Sequence, residues 1–296
     1  MRQATAQTST NKLEDNQNEP APDLARRLAL NSLGSLGIAT LLAGCGGGGG
    51  DSGDASSSTS SSSTTSTTTT TSTASTTSTT SSTCSVVPEE TAGPYPADGS
   101  SASNATYNVL ALSGIVRSDI RSNIGALTPV AGVALTLTIT LTNTQASCAA
   151  LEGYAIYVWH CSQAGNYSVY TENSIASNYL RGVQATNANG TVSFTTIVPG
   201  CYAGRMPHIH IEVYPSASVA TSASRKVKTT QLAFPTATLS AIYNANAGYS
   251  ASVRNLANIS FASDNVFSDG TDLEMLTLQS DGNGGYTANI TISIAA

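Results

Sequence analysis

His208 and His210, separated by Ile209, are two of the three histidines in the 296-residue chain. The run His208–Tyr214, His-Ile-His-Ile-Glu-Val-Tyr, is β-branched at alternate positions and predicts a strand. Strand side chains alternate between faces, so both imidazoles share one face and Ile209 takes the other. Two imidazoles at i and i+2 can grip one metal ion. Imidazole suits Zn, Cu, Fe and Ni alike, so the remaining donors choose the metal. Cys201, Tyr202 and Arg205 lie just upstream, Glu212 shares the histidine face, and Tyr179 sits in Ser-Asn-Tyr-Leu-Arg-Gly. A free phenol titrates near ~10, but a multivalent cation stabilises the phenolate. Two phenolates are hard anionic donors and favour ferric iron over Zn or Cu(I).

Such a site needs a rigid frame, and the sequence points to an all-β one. Short strand patterns are expected at 109–116, 133–141, 155–160, 167–170, 191–197, 208–214, 273–279 and 286–294. Turn signals separate them, including Asn-Ala-Asn-Gly at 187–190 and Asp-Gly-Asn-Gly-Gly at 281–285. No long stretch shows a helical apolar period. The expectation is one β-sandwich domain over 84–296. Only 10% of residues are charged and the net charge is −6, which gives no reason to expect nucleic acid as a partner. Aromatics are mostly Tyr, 12 against 4 Phe and 1 Trp, as suits a β-rich exported protein.

The first 44 residues read as a lipoprotein-type export signal. Arg26-Arg27 precede an apolar run, Leu28 to Ala43, too short and Gly-rich for a comfortable membrane span. It ends in Leu-Ala-Gly-Cys, which resembles the bacterial lipoprotein cleavage box and makes Cys45 the lipidated residue. The long polar leader before the arginines resembles a twin-arginine signal. Residues 45–83 are Gly, then almost pure Ser and Thr, and read as a disordered tether. The expected product is an exported domain held to a bacterial membrane by lipid. Four further cysteines, Cys84, Cys148, Cys161 and Cys201, allow three pairings, and the sequence does not choose among them.

Several stretches, in order, resemble the intradiol ring-cleavage dioxygenases, in their exported, single-domain branch. They are Thr91-Ala-Gly-Pro-Tyr95, Tyr157-Val-Trp-His-Cys161 with Gly165-Asn-Tyr-Ser168, and Asn178-Tyr-Leu-Arg-Gly182. Phe194 to Tyr202, Arg205-Met-Pro-His-Ile-His210 and Thr230-Gln231 with Leu-Ala-Phe-Pro235 complete the set. The resemblance implies a non-haem Fe(3+) held by Tyr179, Tyr202, His208 and His210. It also implies cleavage of a catechol-type ring by O₂ between its two hydroxyls, giving a cis,cis-muconate. In that scheme Tyr202 leaves the iron when substrate binds. Arg205 stabilises negative charge on the substrate, Gln231 lines the oxygen side, and Thr91, Gly93 and Pro94 border the ring. Gly204 falls where protocatechuate dioxygenases carry a pocket aromatic, and the loop from Tyr202 to His208 is shorter than theirs.

Blander roles are expected for other residues. His160 reads as a hydrogen-bonded core histidine, Trp159 as core, and Tyr154, Tyr157, Tyr167 and Tyr170 as packing residues with surface hydroxyls. Cys148, Cys161 and Cys201 read as disulfide or buried thiol. The competing reading is a tethered, non-catalytic β-sandwich module that binds metal or carbohydrate. A homo-oligomer is left open.

Overall fold

A computed structural model describes residues 83–102 and 107–296. The export signal, Cys45 and almost all of the tether lie outside the described residues. The chain divides into two units, Met1–Thr73 and Ala74–Ala296, and every described residue belongs to the second.

Among the described residues, nine strands build two sheets. They are β1 (Ala134–Asn143), β2 (Ala149–Ala150), β3 (Ala155–Trp159), β4 (Arg181–Ala185) and β5 (Thr191–Ile197). After them come β6 (His208–Tyr214), β7 (Lys228–Ala233), β8 (Thr277–Ser280) and β9 (Tyr286–Ile294). One sheet runs β2-β1-β9-β8, with β5 also paired to β1; the other runs β4-β3-β6-β7. The second sheet is antiparallel throughout, and its register sets Trp159 opposite His210 and Gln231 opposite His210 on the other side.

The sheets face each other across one apolar core. β1 alternates outward threonines with buried Leu135, Leu137, Ile139 and Leu141. These meet Ile156 and Val158 of β3 and Ile209, Ile211 and Val213 of β6. Each such side chain contributes about 1.5–3 kcal/mol on burial. The second sheet is also buried on its other face. There Tyr157, Trp159 and Tyr214 pack under Ala97, Val109, Leu110, Tyr167 and Val169. His208, His210 and Glu212 share that covered outer face. This explains a strand that alternates polar and apolar residues yet is buried along its whole length.

Five expectations need correction. Residues 109–116 form no strand; Val109–Ala111 is a single 3-10 turn and Val116 makes only an isolated bridge to Val183. Residues 167–170 form a turn, with Val169 at φ 73°. Two helices, α1 (Thr236–Ala245) and α2 (Ser250–Leu256), stand where none was expected. Strand β8 starts four residues later than expected, and β4 was not anticipated as a strand. Cys84 is bonded to Cys148, while Cys161 and Cys201 are buried thiols.

Glu274 is fully buried and accepts from Thr230 Oγ1 at 2.9 Å, with its second oxygen unpartnered among the described residues. Burial, reinforced by Glu90 and Asp269, pushes its carboxyl up to about 7. A raised folded value holds the proton that the unfolded chain gives up, so this stability is full near pH 4.5 and drains as pH rises to 7. Glu274→Gln keeps the acceptor and removes the titration. Its stability relative to wild type is expected to grow by about 1–3 kcal/mol between those pH values. Melting curves across the window check this; a constant difference would refute it.

Candidate metal centre

Four donor atoms, two from β6 and one from each of two loops, converge on the outer face of the second sheet. His208 Nε2 and His210 Nε2, from β6, lie 3.0 Å apart. Tyr202 Oη reaches His208 Nε2 at 3.2 Å and Tyr167 Oη reaches it at 3.3 Å. His208 Nδ1 lies 2.7 Å from Met206 O. A carbonyl only accepts, so Nδ1 carries the proton and Nε2 presents its lone pair. His210 is clamped from behind by Trp159, stacked at 4.7 Å and 3°, and its Nδ1 has no partner among the described residues.

The electrostatics describe a desolvated cluster whose four groups are neutral without a metal. Burial pushes His208 down to about 3 and His210 well below its usual range, so both rings are neutral ligands. Burial pushes Tyr202 up to about 12 and Tyr167 well above its ordinary value. Neither phenolate is stable there without a compensating positive charge. Two ring nitrogens turned toward one another with two hydroxyls beside them fit a metal ion between them. No group of three or more His, Cys, Asp and Glu with that capacity exists among the described residues; the set closes only when phenols are counted.

Tyr202, His208 and His210 meet as the sequence predicts, but Tyr179 does not join them. Its hydroxyl donates to Glu172 Oε1 at 2.9 Å near the surface. The cause is local. Asn123 Oδ1 accepts from the backbone N–H groups of Asn178 and Tyr179, and Leu180 takes φ 56° to enter β4. That turn buries Leu180 and sends the preceding ring outward. Tyr167 occupies the expected place, only 3% exposed, contrary to its reading as a packing residue with a surface hydroxyl. Gly165, at φ 85°, and Val169 fold the segment after β3 back over the histidines.

The other predicted residues form one polar chain. Arg205 Nε contacts Asp264 Oδ2 at 3.0 Å, Arg205 Nη2 donates to Gln231 Oε1 at 2.7 Å, and Gln231 Nε2 donates to Thr91 O at 2.8 Å. Asp264, which sequence reading missed, also accepts from the Met206, Val266 and Phe267 backbones. Gly93, at φ 64°, brings the 91–95 segment against the donor cluster; a Cβ there would lie 3.4 Å from His210 Cε1. Pro94 and Thr91 are exposed on the same segment. Gly204, at φ 84°, faces open space. Beside Tyr167 a cleft of about 270 Å³ opens, lined by Tyr95, Gly165, Asn166, Tyr170 and Thr171 as well.

Arg181 was also missed. It is fully buried and donates to Ser168 Oγ, Pro96 O, Tyr157 Oη, Tyr95 O and Ser168 O at 2.9–3.1 Å. It thereby ties the 95–96 segment to the residue after Tyr167. His160 is the core histidine expected, bonded to Cys161 O and Thr196 Oγ1. Glu212 is held by Tyr214 and Lys226 at 2.6 and 2.7 Å, away from the donors.

Comparison with solved structures fits this architecture. An intradiol ring-cleavage dioxygenase from Tetranychus urticae aligns with a TM-score of 0.53 at 24% identity, over 72% of this chain and 95% of that one. The fold is that of the intradiol ring-cleavage dioxygenases. A second dioxygenase crystal structure aligns with a TM-score of 0.54 at 23% identity over the same shares. No protein-family model matches the sequence, and no curated protein matches it. Within the intradiol fold, this chain differs from its own sequence-based reading chiefly in which tyrosine turns inward.

Proposed function

We propose that this chain is a non-haem iron dioxygenase that opens catechol-type rings between their two hydroxyls with O₂, giving cis,cis-muconate-type products. The observation that carries the reading is the convergence of Tyr167 Oη, Tyr202 Oη, His208 Nε2 and His210 Nε2. Ferric iron held by these four would supply a Lewis-acidic, redox-capable centre able to chelate both oxygens of a catechol. Tyr167 is the fixed phenol, packed against Tyr95 at 4.9 Å with the rings tilted by 31°, and tied through Ser168 to Arg181. Tyr202 is only half-buried, so it has room to swing aside and take a catechol proton on Oη. Arg205, braced by Asp264 and Gln231, presents its remaining N–H groups to charge developing on the substrate. Gly93 lets the 91–95 segment close one wall of the ring site.

The export signal, the Cys45 lipid anchor and the tether belong to this reading as its cellular setting: an enzyme outside the cytoplasm, meeting aromatic compounds at a bacterial membrane. The test is the visible spectrum of the full chain loaded with ferric iron, before and after anaerobic catechol. Tyrosinate bound to ferric iron gives a broad charge-transfer band, and catechol is expected to shift it. A protein that stays colourless after ferric loading would overturn the proposal and favour the non-catalytic binding module.

A further inference from the structure

Neither arginine beside the donor cluster brings an unbalanced charge that is free to pair with a ligand. Arg181 is fully buried and its guanidinium is shared among three carbonyls and two hydroxyls, out of reach of any ligand. Arg205 is ion-paired through Nε with Asp264, which is itself fully buried. Although burial pulls the other way, bonds from the Met206 and Val266 backbones and from Arg205 keep the Asp264 carboxyl below its usual range. Asp264 is therefore a fixed anion, and Arg205 enters the site as half of a neutral pair that can still donate N–H groups.

The rim adds negative charge. Glu90 immediately precedes Thr91, whose carbonyl is bound by Gln231. Asp269 ends the turn that begins at Phe267, whose ring lies 5.8 Å from the Arg205 guanidinium and 6.4 Å from the His208 ring. Glu90 and Asp269 sense each other: burial first, then Asp269, pushes the Glu90 carboxyl up. A substrate carboxylate arriving here meets like charge at the rim, finds the Arg181 guanidinium fully engaged, and finds the Arg205 charge already balanced by Asp264. Like-charge juxtaposition at a recognition surface is strongly selective.

We infer that this site takes catechols whose ring bears no anionic group, neutral or cationic ones, and rejects ring-carboxylated catechols, with Asp264, Glu90 and Asp269 as the residues that set the preference. The inference rests on the dioxygenase reading and narrows it to a substrate class.

The experiment compares two diols of similar size, 4-methylcatechol and 3,4-dihydroxybenzoate. Each is titrated anaerobically into the full chain loaded with ferric iron, and binding is read from the visible band. The methyl compound is expected to bind at least ~10-fold more tightly, with the gap shrinking as salt screens the rim. Glu90→Gln combined with Asp269→Asn is expected to narrow the ratio roughly 3-fold. Equal or tighter binding of 3,4-dihydroxybenzoate overturns the substrate class while leaving the dioxygenase reading standing. So does a ratio that neither salt nor the double variant moves, because the preference would then be steric. A coloured protein whose band neither diol shifts overturns the dioxygenase reading, and this inference with it.

Discussion

Tyr167→Phe is expected to weaken ferric-iron binding at least ~100-fold and to erase most of the visible band, whereas Tyr179→Phe keeps both. The two tyrosines differ in what their hydroxyls touch. Tyr167 Oη lies 3.3 Å from His208 Nε2 on a ring that is 3% exposed. Tyr179 Oη donates to Glu172 near the surface. Removing the first deletes one of four donors and leaves the buried imidazoles with a single phenol. Removing the second loses one solvent-accessible hydrogen bond, an effect of under about 1 kcal/mol on stability. Iron content after dialysis and the visible spectrum of each variant separate the cases. If Tyr179→Phe loses the metal and Tyr167→Phe retains it, the ligand set proposed above is wrong.

Arg181→Met is expected to destabilise the folded domain by about 3–5 kcal/mol, lowering its melting temperature by on the order of 10 °C. The substitution fills similar space but strands the carbonyls of Tyr95, Pro96 and Ser168, all acceptors of the missing fork. Buried acceptors left without donors carry the full desolvation cost. The damage is expected to reach the site too, because Arg181 joins the 95–96 segment to Ser168 next to Tyr167. Arg181→Lys retains the charge with fewer donors and a different geometry, so only partial recovery is expected. Calorimetry with iron titration on both variants checks this. A methionine variant that melts within about 1 kcal/mol of wild type would show that the fork is dispensable.

The parts of this architecture written in short-range pattern were legible. Strands β5, β6 and β9 match their expected bounds, because alternating β-branched residues between clear turn signals leave few other options. The pair His208 and His210 followed directly from that alternation. Helix α1 was not legible. Its buried Leu239, Ile242 and Tyr243 do keep helical spacing, but over only ten residues rich in Ala, Ser and Thr the signal is too brief to separate from a strand edge. Tyr167 and Tyr179 lie at the same end of adjacent antiparallel strands, since Trp159 pairs with both His210 and Arg181. Proximity to the histidines therefore did not discriminate between them. The deciding features are left-handed backbone at Val169 and Leu180, residues whose types do not announce it, and the reach of Asn123 across 55 positions to Asn178. Asp264 was hidden for the same reason: its contact with Arg205 spans 59 positions.

The Cys84–Cys148 bond acquires a mechanical meaning when its surroundings are followed along the chain. The segment that walls the ring site begins three residues after Cys84, at Val87, and is held edge-on. Val87 N–H donates to Ser293 O, and Glu90 N–H donates to Thr229 O. Such bonds would open one at a time under a pull applied along the chain from its N-terminal side. The disulfide intercepts that pull first and hands it to the turn after β1. There β1 is flanked by β5 and β9 along nearly its full length, so the load must shear two ladders at once. The wall of the candidate site is thus mechanically isolated from any load applied through the chain before Thr83.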